Sequence, residues 1–269
     1  MRLTLLAVLP IFLALAACGE DQDRLSITGS STMAPLIADM AQLFEARSDL
    51  RVDVQSGGSG RGINDTLNGL AHIGMSSRGL TAGEIASGLV THTIAWDGIA
   101  IIVQEDNPLT ELSREHIRSI FRGEVENWQH LGGADRAITV VNKAEGRSTL
   151  ALFLEYFHLD NSEVRADLVA GENQQVILSV AGNSGAIGYV SIGAAVVAAS
   201  RGEGVRLLPL AGVPATVGAV RAGSYPLRRE LNLVTLRSPS PAAAAFLAML
   251  EQDALQAVVQ AHHFVPAAP

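Results

Sequence analysis

Three stretches of this chain set glycine beside hydroxyl residues where an extended segment gives way to a helical pattern. They are Gly29-Ser30-Ser31-Thr32, Gly57-Gly58-Ser59-Gly60 and Gly146-Arg147-Ser148-Thr149. A fourth, Ser76-Ser77-Arg78, closes another extended segment with two hydroxyls and a guanidinium. A helix N-terminus carries unpaired N–H groups and partial positive charge, so it receives an anion even without a cation. Glycine lets the backbone come close, and serine or threonine adds a directional O–H donor. Taken singly, each turn reads as an ordinary N-cap. Four of them, beyond the carboxyl ends of strands in an open α/β sheet, point to a cage for a small tetrahedral oxyanion. Ser31, Thr32, Ser59, Gly60, Ser77, Arg78, Ser148 and Thr149 are the candidate ligands, and Lys143 and Arg147 are the candidate cations.

Catalytic patterns are missing. Gly57-Gly58-Ser59-Gly60-Arg61 fails the nucleophile-elbow pattern at its last position, no His-Glu-x-x-His occurs, and the seven histidines are scattered. The glycine turns match neither the P-loop nor the dinucleotide fingerprint. Asp106-Asn107 and Asp160-Asn161 read as turns and His262-His263 as a solvated pair near the tail, so neither a metal site nor a cofactor is expected. The chain is therefore read as a binding protein and not an enzyme. Net charge is −8, without a basic run, and aromatic residues make up 4%, which argues against nucleic acid and against stacking grooves. The single cysteine excludes a disulfide framework.

The elements that must hold these turns alternate strand and helix. Leu25–Thr28, Arg51–Gln55, Ala71–Met75, Ile94–Val103, Ile138–Asn142 and Gly185–Val190 read as strands. Helical faces are Met33, Leu36, Ile37, Met40, Ala41 and Phe44, then Ile63, Leu67 and Leu70, then Leu150, Phe153, Leu154 and Phe157. A helix is also expected from Ser113 to Phe121, and one long amphipathic helix from Pro241 to Gln260. This alternation implies an α/β class with parallel sheet and right-handed crossovers. The apolar runs Ile94–Val103 and Val213–Val220 mark the boundaries of two lobes, residues 25–97 with 219–269 and residues 98–218.

The N-terminus is an address. Met1-Arg2 precedes an apolar run, Leu3 to Leu15, that is shorter than the ~20 residues a membrane-spanning helix needs but suits a secretory signal. It ends Leu15-Ala16-Ala17-Cys18-Gly19, which resembles a bacterial lipobox. Residues 1–17 are thus read as a lipoprotein signal, Cys18 as the acylated N-terminus and residues 18–24 as a tether, which places the protein extracytoplasmically on a lipid anchor. Loss of Arg2 leaves 18 basic against 27 acidic residues, a net −9.

Several segments together resemble the phosphate-binding proteins of bacterial phosphate ABC transporters. They are Gly29-Ser30-Ser31-Thr32-Met33-Ala34-Pro35, Val54–Gly60, Ile73–Arg78, Asp97–Val103 followed by Asn107-Pro108, Ile120–Gly123 with Asn127-Trp128 and Leu131-Gly132-Gly133, and Gly185–Ser191. They run in order from residue 26 to 193. The resemblance implies a periplasmic-binding-protein fold of the type II kind, with a ligand cleft between two α/β lobes and a hinge of crossing strands. It implies anion contacts from Thr32, the backbone near Met33, Ser59 and Ser77. Lys143 stands where that family usually has arginine, Arg147 where it has a small serine, and Ser148-Thr149 match its Gly-Thr pair in part. Part of the family has a proton-accepting carboxylate at the Ser77 position, so with serine there the residues do not separate phosphate from sulfate or arsenate. The implied partners are inorganic phosphate and a membrane permease, with the protein a monomer. A sensor or adhesion module on the same fold remains open, and a phosphoesterase is the weaker alternative.

Overall fold

The structure is a computed structural model that describes residues 24–250 and 253–267; the signal segment 1–17, Cys18 and the tether up to residue 23 lie outside the described residues. In chain order the elements are β1 (Arg24–Gly29), α1 (Ala34–Glu45), β2 (Arg51–Ser56), α2 (Ser59–Leu67), β3 (Ile73–Ser76), α3 (Ala82–Ala86) and β4 (Leu89–Gln104). Then come α4 (Arg114–Phe121), β5 (Thr139–Lys143), α5 (Ser148–Phe157), β6 (Leu168–Ala170), α6 (Asn173–Ala181), β7 (Ala186–Ser191), α7 (Ile192–Ser200) and β8 (Val205–Leu208). The chain closes with α8 (Val217–Arg221), β9 (Arg228–Leu236), α9 (Pro241–Met249), α10 (Asp253–Ala261) and β10 (Val265–Pro266).

The strands lie in the order β2-β1-β3-β9-β4-β7-β5-β6, with β8 and β10 also on β4. β1 pairs parallel with β2 and β3, and β5 pairs parallel with β6 and β7. One strand joins the two halves. β4 runs antiparallel to β9 from Leu89 to Gly98, then to β7 from Ile99 to Val103. Its sixteen residues extend well beyond the Ile94–Val103 run, because polar residues along Thr91–Thr93 face an edge where burial is partial. The second crossing strand is β9; the Val213–Val220 run instead holds an isolated bridge and α8.

Two large apolar clusters follow from this crossing, beside a small third one of Ile63, Leu89 and Val234. One gathers Leu25 to Ala95 with Leu231 to Phe264, and the other Ile99 to Leu227 with Val265. Each is the core of one lobe, and the sequential halves of β4 feed both. α1 buries the expected face, Leu36, Ile37, Met40, Ala41 and Phe44. α2 does so only in part: it buries Ile63 as expected, together with Ser59, Gly62 and Thr66, but leaves Leu67 exposed, and Leu70 lies exposed beyond its end. The reason is contact distance. A Cβ on Gly62 would stand 2.5 Å from the Thr28 carbonyl oxygen, and one on Gly74 would stand 2.6 Å from the Gly62 carbonyl oxygen. Backbones that close admit only small residues, so the glycine face turns inward and the leucines turn out. The C-terminal amphipathic stretch is also corrected: it forms two helices, α9 and α10, rather than one. His262, expected to be solvated, is half-buried and pairs with Asp39 of α1 at 2.8 Å.

Candidate functional site

Five helices carry a serine or threonine N-cap whose side chain accepts a bond from its own first turn: Thr81, Ser113, Ser191, Thr216 and Ser240. α1, α2 and α5 differ. Their N-caps are Met33, Gly58 and Arg147, and none of these makes a side-chain cap bond. The hydroxyls at these three helix starts face one another instead. That contrast separates capping from site building.

Ser59 Oγ donates to Ser148 Oγ at 3.1 Å and accepts from the Ser77 N–H at 3.0 Å. Ser77 Oγ lies 2.6 Å from Ser148 Oγ and accepts from Ser30 Oγ at 3.0 Å. Ser30, Thr32, Ser59, Ser77, Ser148 and Thr149 are all buried. Ser30, Thr32, Ser59 and Ser77 belong to the first lobe, and Ser148 and Thr149 to the second. Close packing of the turns makes the meeting possible. Gly58 has φ +95°, a conformation L side chains rarely adopt, and a Cβ there would stand 2.7 Å from the Gly146 carbonyl oxygen. That same oxygen accepts the Gly60 N–H at 3.1 Å, a backbone bond between the lobes.

The fixed charge of the cluster is Arg229, on the crossing strand β9. Its Nη2 donates to Thr32 at 3.1 Å, and its Nη1 to Thr149 at 2.9 Å and to Ser77 at 3.4 Å. Asp97, its register partner on β4, accepts from Arg229 Nε at 3.0 Å and Nη2 at 2.8 Å. Both side chains are 1% exposed. A charge this deep is tolerated only with a partner and further bonds, and both conditions are met here. Arg229 was not among the expected ligands. The available signal was Asp97, the only Asp, Glu, Lys or Arg in the apolar strand β4; Arg229 lies between Arg228 and Glu230 in a strand rich in polar residues, and nothing local marks it.

Lys143, at the end of β5, is 2% exposed. Its Nζ donates to Asn173 Oδ1 at 3.0 Å, and Asn173 Nδ2 donates to Thr32 at 3.3 Å. Tyr189 fixes the strand beneath: its hydroxyl donates to Asn142 at 2.5 Å and accepts the Lys143 N–H at 3.3 Å, while its ring stacks on Phe153 of α5 at 3.9 Å. Burial, with Arg229 and Arg147 nearby and Glu172 opposing them, lowers the amine from 10.5 to about 7.

Several expected residues stand outside this cluster. Arg78 forms a two-bond pair with Glu84, at 2.9 and 2.8 Å, and holds that carboxyl at about 2. Arg147 Nη1 pairs with Glu172 at 2.9 Å, and Ser56 Oγ donates to the same carboxylate oxygen at 3.2 Å. Those contacts form a latch on the rim. Met33 packs its side chain into the first core, and its N–H donates to the Ser30 carbonyl at 3.1 Å. Ser31 is half-buried at the rim of its turn. A cavity of about 350 Å³ opens beside the cluster between Gly60, Arg78, Arg147, Ser148, Leu150 and Leu154. Among the described residues no group of three or more His, Cys, Asp or Glu is placed to hold a metal, and no helix is long and apolar enough to cross a membrane.

Two α/β lobes joined by crossing strands, with donors from both turned to one point between them, define the class: a two-lobe binding protein of the periplasmic-binding-protein kind. The comparisons agree. A model described as the PBP superfamily domain matches residues 16–251. The phosphate-binding protein PstS of Bacillus subtilis is 31% identical over 257 residues, covering 93% of this chain and 84% of that protein. PstS of Borreliella burgdorferi is 27% identical, covering 80% of each. A putative phosphate ABC transporter substrate-binding protein from Clostridium perfringens, solved with bound phosphate, superposes with a TM-score of 0.83 at 28% identity. That match covers 91% of this chain and all of the other. The chain belongs to the PBP superfamily and, within it, to the family of PstS-like phosphate-binding proteins.

Proposed function

We propose that the protein captures inorganic phosphate between its lobes, without turnover, and delivers it to an ABC permease at the extracytoplasmic face of a membrane. It would be held there, as a monomer, by a lipid on Cys18 after loss of residues 1–17, with residues 18–24 as the tether. The lobes are taken as residues 25–97 with the chain from about Arg228, and residues 98 to about 227. Val220, Tyr225 and Leu227 pack into the second core, so the second lobe extends past residue 218.

The observation that carries this reading is the buried Arg229 guanidinium, bonded to hydroxyls of both lobes, Thr32 and Ser77 on one side and Thr149 on the other. A dianion moved from water into a dry cleft loses strong hydration, which fixed O–H, N–H and guanidinium donors replace. Donors divided between lobes reward closure, so binding favours the shut form that a permease would recognise. Ser30, Thr32, Ser59, Ser77, Ser148, Thr149, Lys143 and Arg229 would form the cage, with Ser31, the backbone of Met33 and Gly60, Arg78 and Arg147 at its rim. Calorimetry with inorganic phosphate at neutral pH is expected to give one-site binding at micromolar affinity or tighter; the absence of heat and of any thermal-shift response would exclude the reading.

A further inference from the structure

The small third cluster is too slight to be a core of its own. Ile63 of α2, Leu89 at the start of β4 and Val234 of β9 meet on the α2 face of the first lobe's sheet, with Leu80 packed against them. Their neighbours stay in solvent. Leu67 follows Ile63 by one helical turn and is exposed. Leu236 follows Val234 by two residues and pairs with Leu89 across the ladder, so it lies on the same face, and it is exposed as well. Ile85 of α3 is 52% exposed and Leu70 is 72% exposed. Backbone bonds tie these positions to the cluster. The Leu70 N–H donates to the Asp65 carbonyl of α2 at 2.8 Å, the Gly88 N–H to the Ile85 carbonyl at 3.0 Å, and the Arg237 N–H to the Gly88 carbonyl at 3.2 Å. Large apolar side chains grouped in this way on a surface mark a place of contact.

Strand direction says where on the molecule this surface lies. β1 and β3 run toward the cage and end at Gly29 and Ser76, beside Ser30 and Ser77. β9 runs against β3 and reaches Leu236 as its last residue, and β4 begins at Leu89 opposite it. The exposed group therefore stands at the end of the first lobe farthest from the cage. β1 begins at that same end, with Arg24 opposite Arg51. The chain just after Leu70 is bonded to it, the His72 N–H donating to the Ser26 carbonyl at 3.0 Å. Cys18 precedes Arg24 by six residues, and a chain of that length reaches about 20 Å when fully extended.

We propose that this apolar end of the first lobe rests on the bilayer that holds the Cys18 lipid, with Leu67, Leu70, Ile85 and Leu236 in the interfacial layer. The inference rests on the lipid-anchor reading above and is independent of which anion the cage holds. A lipid on Cys18 keeps Arg24 within about 20 Å of the membrane, so the end of the lobe that carries Arg24 is the end presented to it. Exposed leucine and isoleucine leave water there, as the apolar face of an interfacial helix does. Because the tether holds the lobe at high local concentration over the surface, a weak contact is enough. The cage sits at the opposite ends of β1 and β3 and stays open to solvent. Leu168 and Val169 of β6 and Leu178 of α6 are also exposed, but they belong to the second lobe, and no tether leads to them.

The test uses the acylated full-length protein in vesicles of phosphatidylethanolamine and phosphatidylglycerol. Leu70→Cys, Ile85→Cys and, as the control in the second lobe, Leu178→Cys each carry a spin label; Cys18, whose sulfur holds the lipid, takes none. Collision with oxygen, which concentrates in lipid, is compared with collision with a water-soluble nickel chelate. The oxygen-to-nickel ratio at positions 70 and 85 is expected to exceed that at position 178 by roughly threefold or more, as for groups at the acyl boundary. Equal ratios at all three positions would overturn the proposal. So would shielding of positions 70 and 85 from both reagents, because a protein surface, a second copy included, would then cover the patch instead of lipid. Failure of the wild-type protein to sediment with the vesicles would overturn the anchor reading itself, and this inference with it. Positions 70 and 85 lie on separate elements, so either label decides alone if the other variant does not fold.

Discussion

Arg229 has two jobs that a single substitution would confuse: it neutralises Asp97, and it orients hydroxyls from both lobes. Removing one member of a buried ion pair typically costs about 3–5 kcal/mol, because the other charge stays behind unpaired. Arg229→Gln is therefore expected to lower the denaturant midpoint by a corresponding amount and to abolish phosphate binding. In the double variant Arg229→Gln/Asp97→Asn most of the stability should return, since two amides can bond in the same register, but affinity should not. A double variant that binds phosphate like the wild type would make Arg229 a purely structural residue.

At the scale of elements, the site depends on how near α2 lies to the ends of β1 and β3. A Cβ on Gly62 meets the Thr28 carbonyl oxygen at 2.5 Å, Gly29 Cα at 2.8 Å and the Met75 carbonyl oxygen at 2.9 Å. All three are backbone atoms that cannot rotate aside, so the helix itself must withdraw. Gly62→Ala is expected to cost about 1–3 kcal/mol and to weaken phosphate binding at least tenfold, through displacement of Ser59 at the helix start. Urea unfolding and calorimetry check both numbers; unchanged affinity would show that Ser59 reaches its place without help from the close approach. The same glycine face explains why Leu67 and Leu70 mislead although Ile63 is buried as expected. Apolar periodicity assumes that large residues seek the core, and here the core surface is bare backbone.

For the whole molecule, the lobes meet through polar groups: Ser59 with Ser148, Thr32 with Asn173, Ser56 with Glu172, and Gly60 with Gly146. An anion seated among these donors would stabilise the shut form against both opening and unfolding. Phosphate at a hundred times its dissociation constant should add about 2.7 kcal/mol. For a chain of this size that corresponds to a rise in Tm of roughly 5–10 °C. Differential scanning calorimetry across a phosphate series reads this directly, and a Tm independent of phosphate would contradict binding to the folded state.

The strands β1 to β5 and β7, the core face of α1, and the three hydroxyl turns were legible from sequence because each depends on local spacing, whereas the polar crossing strand β9 was not. Glycine, hydroxyl and helix start lie within a few residues of one another, and period and propensity act over that range. Whether those hydroxyls cap their own helices or face a common point could not be read locally, since both uses require the same residues. Arg229 and Asp97 are 132 residues apart, and Arg229 and Thr32 are 197 apart. Only the antiparallel register of the two crossing strands brings such positions together, and only burial at that crossing turns two charges, one amine and six hydroxyls into a single site. The sequence by itself determined the kind of groups available and the turns that present them. Tertiary structure decided which of those groups share one dry space, because that depends on long-range pairing and desolvation rather than on neighbours along the chain.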